Sequence, residues 1–204
     1  MTRRDVPASQ RGLFDADEPI AYRIVCGIDE AGRGPLAGPV SAAAVILPDD
    51  FPLGLLDDSK ALSEKARAVA FEAIVTRAQW ANEWAWPAEI DRLNILGATM
   101  LAMSRAFFRL GASPDIVIVD GTRTPDIPCA REAMVKADAK VPAVMAASII
   151  AKVSRDRLME RYDWLYPEYG YARHKGYPTA AHRTACRELG PSPIQRMSFS
   201  YSRK

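Results

Sequence analysis

Cysteine and histidine are scarce in this chain, with three cysteines and two histidines among 204 residues. Cys26, Cys129 and Cys186 are scattered, odd in number and never paired as Cys-x-x-Cys, so neither a disulfide framework nor a zinc site is indicated. They read as small core residues of a reducing compartment. Long apolar runs are missing too. The longest, Val40 to Leu47, falls about ten residues short of a bilayer-spanning helix. The start, Met1-Thr2-Arg3-Arg4-Asp5, lacks the apolar stretch of a secretion signal. These absences lead us to expect a soluble, cytoplasmic protein with no membrane partner, and a monomer by default. Repeats and low-complexity tracts are also lacking, and disordered or fibrous classes do not fit.

Hydrophobic residues make up 49% of the chain, enough to fill the core of one compact domain. The net charge of +2 hides an asymmetry. Residues 1–151 carry 16 Lys/Arg against 20 Asp/Glu, whereas 152–204 carry 11 against 5. An acidic part suited to a metal ion thus precedes a basic part suited to a polyanion.

Residues 1 to about 20 mix charge and proline without periodicity, the profile of a loose arm outside the domain. Ile24, Cys26 and Ile28 alternate as a strand, a glycine-rich turn follows, and Val40 to Leu47 is the next, buried strand. So short a connection favours an antiparallel hairpin. Ser63 caps a helix expected to run to about Gln79, and Trp80 to Trp86 follows as a strand. Leu93, Leu96, Met100, Met103 and Phe107 recur at helical spacing, with Gly111 ending that buried helix. Ile116 to Val119 has the profile of a central strand buried on both faces, closed by Asp120-Gly121. A short piece lies near Lys136 to Lys140. Pro142 opens a helix to about Tyr162, and another spans roughly Thr179 to Leu189. Strands early and helices late make this an α/β chain with a mixed sheet.

Asp29-Glu30 and Asp120 stand at the ends of strands, where open α/β sheets bind ligands. Carboxylates crowded there repel one another unless a divalent cation holds them. Asp138, in Lys136-Ala137-Asp138-Ala139-Lys140, is the natural fourth member. Oxygen ligands with no histidine or thiolate nearby favour Mg²⁺ or Mn²⁺. Adjacent strand residues point to opposite faces, so Asp29 and Glu30 do not both reach one ion pair from a regular strand. Either the strand breaks there, or Glu30 serves through its backbone carbonyl while its side chain orients water. Gly32-Arg33-Gly34 is not a dinucleotide fingerprint, because Pro35, Pro39 and a β-like run stand where the helix should begin. It is a turn whose backbone can approach a ligand closely. His174 and Lys175 offer phosphate contacts and Tyr177 an aromatic for a sugar or base. Ser148, Lys152 and Arg155 fall at i, i+4 and i+7 on one polar helix face, available to substrate or simply solvated.

Taken together, these segments resemble the bacterial type 2 ribonuclease H family, ribonuclease HII, over roughly residues 22–200. The resemblance rests on seven ordered segments. The first is Gly27-Ile28-Asp29-Glu30-Ala31-Gly32-Arg33-Gly34-Pro35-Leu36-Ala37-Gly38-Pro39-Val40, followed by Asp57-Asp58-Ser59-Lys60, Glu89-Ile90-Asp91-Arg92-Leu93-Asn94-Ile95 and Val119-Asp120-Gly121. Lys136 to Lys140, Ala146 to Asp156 and His174-Lys175-Gly176-Tyr177 complete them. The resemblance implies a ribonuclease H-like mixed five-stranded sheet flanked by helices, with a C-terminal helical extension from about 165 to the single domain of 21–204. It implies Asp29, Glu30, Asp120 and Asp138 as metal-binding acids, Gly32, Arg33 and Gly34 as reader of a 2′-hydroxyl, and Tyr177 as the ring that packs on a deoxyribose. The implied substrates are RNA/DNA hybrids and DNA duplexes containing ribonucleotides, cut by two-metal hydrolysis with Mg²⁺ or Mn²⁺. One departure stands out. The family often has His-Arg-x-Ser-Phe near the C-terminus, and here the segment is Gln195-Arg196-Met197-Ser198-Phe199.

Two rival readings make distinct predictions. A metal-free ribonuclease using His174 and His182 as acid and base would leave cyclic phosphate products in chelator. A non-catalytic nucleic-acid-binding module of the same fold would tolerate Asp29→Asn and Asp120→Asn.

Overall fold

The computed structural model describes residues 24–57, 59 and 61–200. The N-terminal arm, Asp58 and Lys60 lie outside the described residues. Five strands, β1 (Val25–Ala31), β2 (Val40–Ile46), β3 (Gln79–Ala85), β4 (Ile116–Asp120) and β5 (Arg131–Met134), form one sheet in the order β3-β2-β1-β4-β5. β1, β2 and β3 pair antiparallel, while β4 joins β1 and β5 joins β4 in parallel. The hairpin expected of β1 and β2 is therefore present, and the sheet is mixed.

Alternation along the strands sorts the core into two layers. Cys26 and Ile28 of β1, Ala42 and Ala44 of β2, and Val117 and Val119 of β4 face α2 (Pro87–Leu110). Ala43 and Val45 face α1 (Glu64–Arg77) and α3 (Pro142–Leu165) on the other side, and Ile118 packs on Val144 of α3. Gly27 lets β1 lie directly on the start of α3, since a Cβ there would stand 2.2 Å from the Ala143 carbonyl carbon.

Helix ends follow their capping chemistry. Ser63 Oγ accepts from the Ala66 N–H at 3.2 Å, and Gly111 ends α2 with φ 66°. α2 is broken at Asn94 (φ 58°, ψ 171°), whose side-chain oxygen accepts from the Leu96 and Gly97 N–H groups and restarts the helix. α1 stops two residues before the expected Gln79 because Gln79 already pairs with Ile46. α3 continues past Tyr162 to Leu165. Beyond it come a 3-10 turn (Pro167–Tyr169), the short α4 (Tyr171–His174) and α5 (Ala180–Leu189), which Thr179 caps by accepting from the His182 N–H at 3.2 Å. β5 was not anticipated from sequence. No helix among the described residues is long and apolar enough to cross a membrane.

Candidate active site

The pairing of the two central strands stops at Ile28 and Val119, and the residues just beyond define the site; β1 itself runs on to Ala31 beside β2, so Asp29 lies within the strand rather than at its end. Ile28 of β1 stands beside Val119 of β4, so the next step along each strand brings Asp29 next to Asp120. Gly27 touches α3 and Ile118 packs on it; two residues on, Asp29 and Asp120 therefore face α3 as well. The 3-10 turn Ala137–Ala139 supplies Asp138, which is buried. Lys136 enters that turn in the left-handed region (φ 60°, ψ 38°), and the Ala137 N–H donates to Asp120 Oδ1 at 2.8 Å, docking the turn on β4.

Glu30 leaves by the opposite face. β1 stays regular, with Asp29 opposite Ala43 and Glu30 opposite Ala42, so the strand does not break at this pair. The Glu30 N–H donates to Asp29 Oδ1 at 2.7 Å, and its carboxylate meets Arg33 Nη1 at 3.3 Å. Asp29 is held well above the usual carboxylate range, first by burial and then by the negative charge of Glu30, to which Asp120 adds. Hydrogen bonds from the Glu30 N–H and the Ser148 hydroxyl pull in the other direction. An oxygen-only donor set with mutual repulsion around a buried carboxylate fits a hard divalent cation. Among the described residues, no three His, Cys, Asp or Glu side chains already converge tightly enough to hold one. The carboxylates are gathered at one sheet end rather than closed into a cage.

Beside them lies the loop 32–39, fastened from behind by two buried arginines. Arg196 Nη2 donates to the Gly32 carbonyl at 2.6 Å, Nη1 to Arg33 at 2.9 Å and Pro35 at 2.8 Å, and Nε to Gly38 at 2.8 Å. Arg155 donates to the carbonyls of Pro39, Ala37 and Lys175 at 2.9, 3.1 and 2.9 Å. Burial pulls their pKa values down, to about 9 for Arg196 and about 10 for Arg155, and both stay charged at neutral pH. Gly32 (φ 95°) admits no side chain, because a Cβ would fall 2.0 Å from Arg155 Nε. Gly34 differs: a Cβ there would meet only Tyr177 Cε1, at 3.6 Å.

Tyr177 is 45% exposed on a neighbouring loop. The Leu36 N–H donates to the Gly176 carbonyl at 2.8 Å, tying the two loops together. Beneath them His174 and His182 stack, ring centroids 4.5 Å apart. His174 Nε2 donates to the Tyr169 carbonyl at 2.9 Å, while its Nδ1 accepts from the Gly176 N–H at 3.2 Å. His182 Nδ1 donates to the Tyr177 carbonyl at 3.0 Å. Burial lowers both histidine pKa values. Buried and bonded to backbone, they hold a loop, and the acid–base route loses its residues. His174 is thereby neither an exposed phosphate contact nor a helix-surface residue.

The polar face expected on α3 is buried at Ser148 and Arg155 and part-exposed only at Lys152. Ser148 is buried and shares a hydrogen with Ser59 at 2.7 Å, Arg155 is 1% exposed, and Lys152 pairs with Asp156. The Lys175 ammonium meets Glu160 at 2.8 Å and the Ala172 carbonyl at 2.6 Å. Arg33 remains half exposed at the loop mouth. Gln195, the departure from the family pattern, is buried; its backbone bridges to Ala37 and its side-chain oxygen accepts from Cys186. Sequence reasoning missed the loop-holding role of Arg196 and the role of Asp91, which accepts from the Met197 and Ser198 N–H groups and so anchors the Arg196 segment. The signals available were the segments Glu89 to Ile95 and Gln195 to Phe199, both quoted for the resemblance.

A family model described as Ribonuclease HII matches residues 26–202. A Ribonuclease HII of Treponema denticola is 53% identical over 194 residues, spanning 86% of this chain and 98% of that protein. Among solved structures, the Archaeoglobus fulgidus RNase HII, determined in complex with PCNA, superposes with a TM-score of 0.73 at 30% identity, covering 89% of this chain and 97% of that one. The ribonuclease H2 of Pyrococcus horikoshii OT3 gives 0.72 at 28%, covering 87% and 94%.

Proposed function

Because the chain belongs to the ribonuclease HII family, and is thus a ribonuclease H acting on the RNA strand of RNA/DNA hybrids, we propose that it also incises duplex DNA on the 5′ side of embedded ribonucleotides, leaving 5′-phosphate and 3′-hydroxyl ends. The observation that carries this reading is the adjacency of two devices: carboxylates on one sheet end, and a glycine loop with an exposed tyrosine beside it. Asp29, Glu30, Asp120 and Asp138 would hold Mg²⁺ or Mn²⁺, with Glu30 contributing from the far side of β1. Two such ions supply an activated water and stabilisation of the leaving 3′-oxygen.

The chain's own residues do the rest. Asp120 holds the turn that carries Asp138, so the position of one acid fixes the approach of another. The 2′-hydroxyl is the one group that separates RNA from DNA locally, and the backbone of Gly32 to Gly34 can approach it because glycine presents no side chain. Arg33 faces incoming phosphate. Tyr177 offers its exposed ring to the neighbouring deoxyribose, where a bulkier ribose would fit less well. Lys152, Lys175 and the basic C-terminal quarter add long-range attraction for the duplex rather than direct contacts.

The test is incubation with duplex DNA carrying a single ribonucleotide, with Mg²⁺ or Mn²⁺, for the wild type and for Asp120→Asn. Incision 5′ of the ribonucleotide by the wild type alone is expected. No incision, or equal incision by the variant, would overturn the proposal.

A further inference from the structure

We propose that Arg196 is a positioning residue that turns the amides of Arg33 and Gly34 outward and strengthens them as hydrogen-bond donors to a sugar 2′-hydroxyl. The inference rests on the sugar-reading role given to the loop above. Its ground is the number and direction of the bonds Arg196 makes. One guanidinium, wholly buried, binds the carbonyls of Gly32, Arg33, Pro35 and Gly38. Cis peptide bonds are absent from the described residues. In a planar trans peptide the N–H points opposite to the C=O. Drawing the Gly32 and Arg33 carbonyls inward therefore sends the Arg33 and Gly34 N–H groups out on the other side. The Leu36 N–H illustrates the rule: the Pro35 carbonyl turns in to Arg196, and the Leu36 N–H turns out to Gly176.

Charge adds to geometry. A cation bound to a carbonyl polarises the whole amide, so the N–H at the far end of the same peptide becomes a better donor. Arg196 forms no ion pair among the described residues; its counter-charge is this ring of carbonyl dipoles. Asp91, the nearby acid, is engaged with the backbone of Met197 and Ser198. Arg155 serves differently. It holds the far half of the loop, at Ala37 and Pro39, and ties it to Lys175 ahead of Tyr177. Only Arg196 grips the two peptides whose amides face out at Arg33 and Gly34.

Arg196→Lys keeps the charge but offers three N–H groups from one point, which do not span four carbonyls. Arg196→Gln keeps planarity without the charge. Each is compared with the wild type for affinity, by fluorescence anisotropy in chelator, toward two duplexes: all-DNA and DNA with one ribonucleotide. The expected result is all-DNA affinity within about twofold of the wild type. The preference for the ribonucleotide duplex should drop by roughly tenfold for each amide mis-aimed. A merely structural role would move both affinities together. Should neither variant fold, amide hydrogen exchange of the wild type decides: exchange at Arg33 and Gly34 should slow on adding the ribonucleotide duplex and not on adding all-DNA. Variants that keep the preference, or amides that stay unprotected, overturn the role of Arg196. A wild type with no preference overturns the sugar-reading proposal instead.

Discussion

Replacing Gly34 with alanine adds one methyl group at the mouth of the loop, and the structure separates its effect on folding from its effect on activity. The backbone at Gly34 lies outside the left-handed region, and the new Cβ would meet only Tyr177 Cε1, at an ordinary 3.6 Å. Alanine narrows the unfolded ensemble, so stability should rise by about 0.4–1 kcal/mol, or roughly 1–4 °C in Tm for a chain of this size. The same methyl stands where a ribose would approach the backbone. A displacement of about 1 Å at a reacting centre costs on the order of 100-fold in rate, and a loss of that order in kcat/KM is expected. Gly32→Ala is the contrast. With φ 95° and a Cβ 2.0 Å from Arg155 Nε, it combines backbone strain with overpacking, each about 1–3 kcal/mol. A Tm lower by at least about 4 °C follows. Thermal melts and incision kinetics on a single-ribonucleotide duplex check both. Full activity in Gly34→Ala, or a loss that tracks a lowered Tm, would refute the argument.

Asp29→Asn removes a buried negative charge from beside Glu30 and Asp120 while keeping an oxygen for the Glu30 N–H; melts in chelator should give a higher Tm and incision should vanish, whereas a lower Tm would contradict the repulsion. His174 and His182 have folded pKa values below the ordinary 6.5, so the unfolded chain binds more protons in acid. Their contribution is complete above about pH 6.5 and is lost as pH falls below it toward the lowered folded values. Denaturant titrations from pH 7.5 to 5 should register this decline, reduced in a His182→Gln variant. Ser63→Ala, which removes a cap far from the carboxylates, should cost about 1 kcal/mol with unchanged incision kinetics.

The sheet was legible wherever burial imposed a period. β1, β2, β4 and the long α2 announce themselves because one or both faces are apolar throughout. β5 does not: Arg131-Glu132-Ala133-Met134 is a short edge strand with exposed charged residues, and neither alternation nor hydrophobic run marks it. Asp29 and Asp120 were legible because each terminates an apolar run, although only Asp120 ends its strand and β1 continues to Ala31. Arg155 and Ser148 were misplaced for a physical reason. Spacing of i, i+4 and i+7 fixes that residues share a helix face, but not whether that face meets water or a loop arriving from more than a hundred residues away. The buried histidine stack and the four bonds of Arg196 are long-range in the same sense. They depend on which segments the fold brings together, which local spacing does not encode.

Gly32 and Arg196 are 164 positions apart in sequence, which places the two halves of this site at opposite ends of the chain's synthesis. At roughly 5–20 residues per second, the loop leaves the ribosome about ten to thirty seconds before the arginine that shapes it. During that interval the strand carrying Asp29 and Glu30 is already made, while the carbonyls of the loop have no guanidinium to face. The proposed sugar reading thus waits on a residue made late in synthesis. A chain that stops before Arg196 would leave four loop carbonyls without this donor.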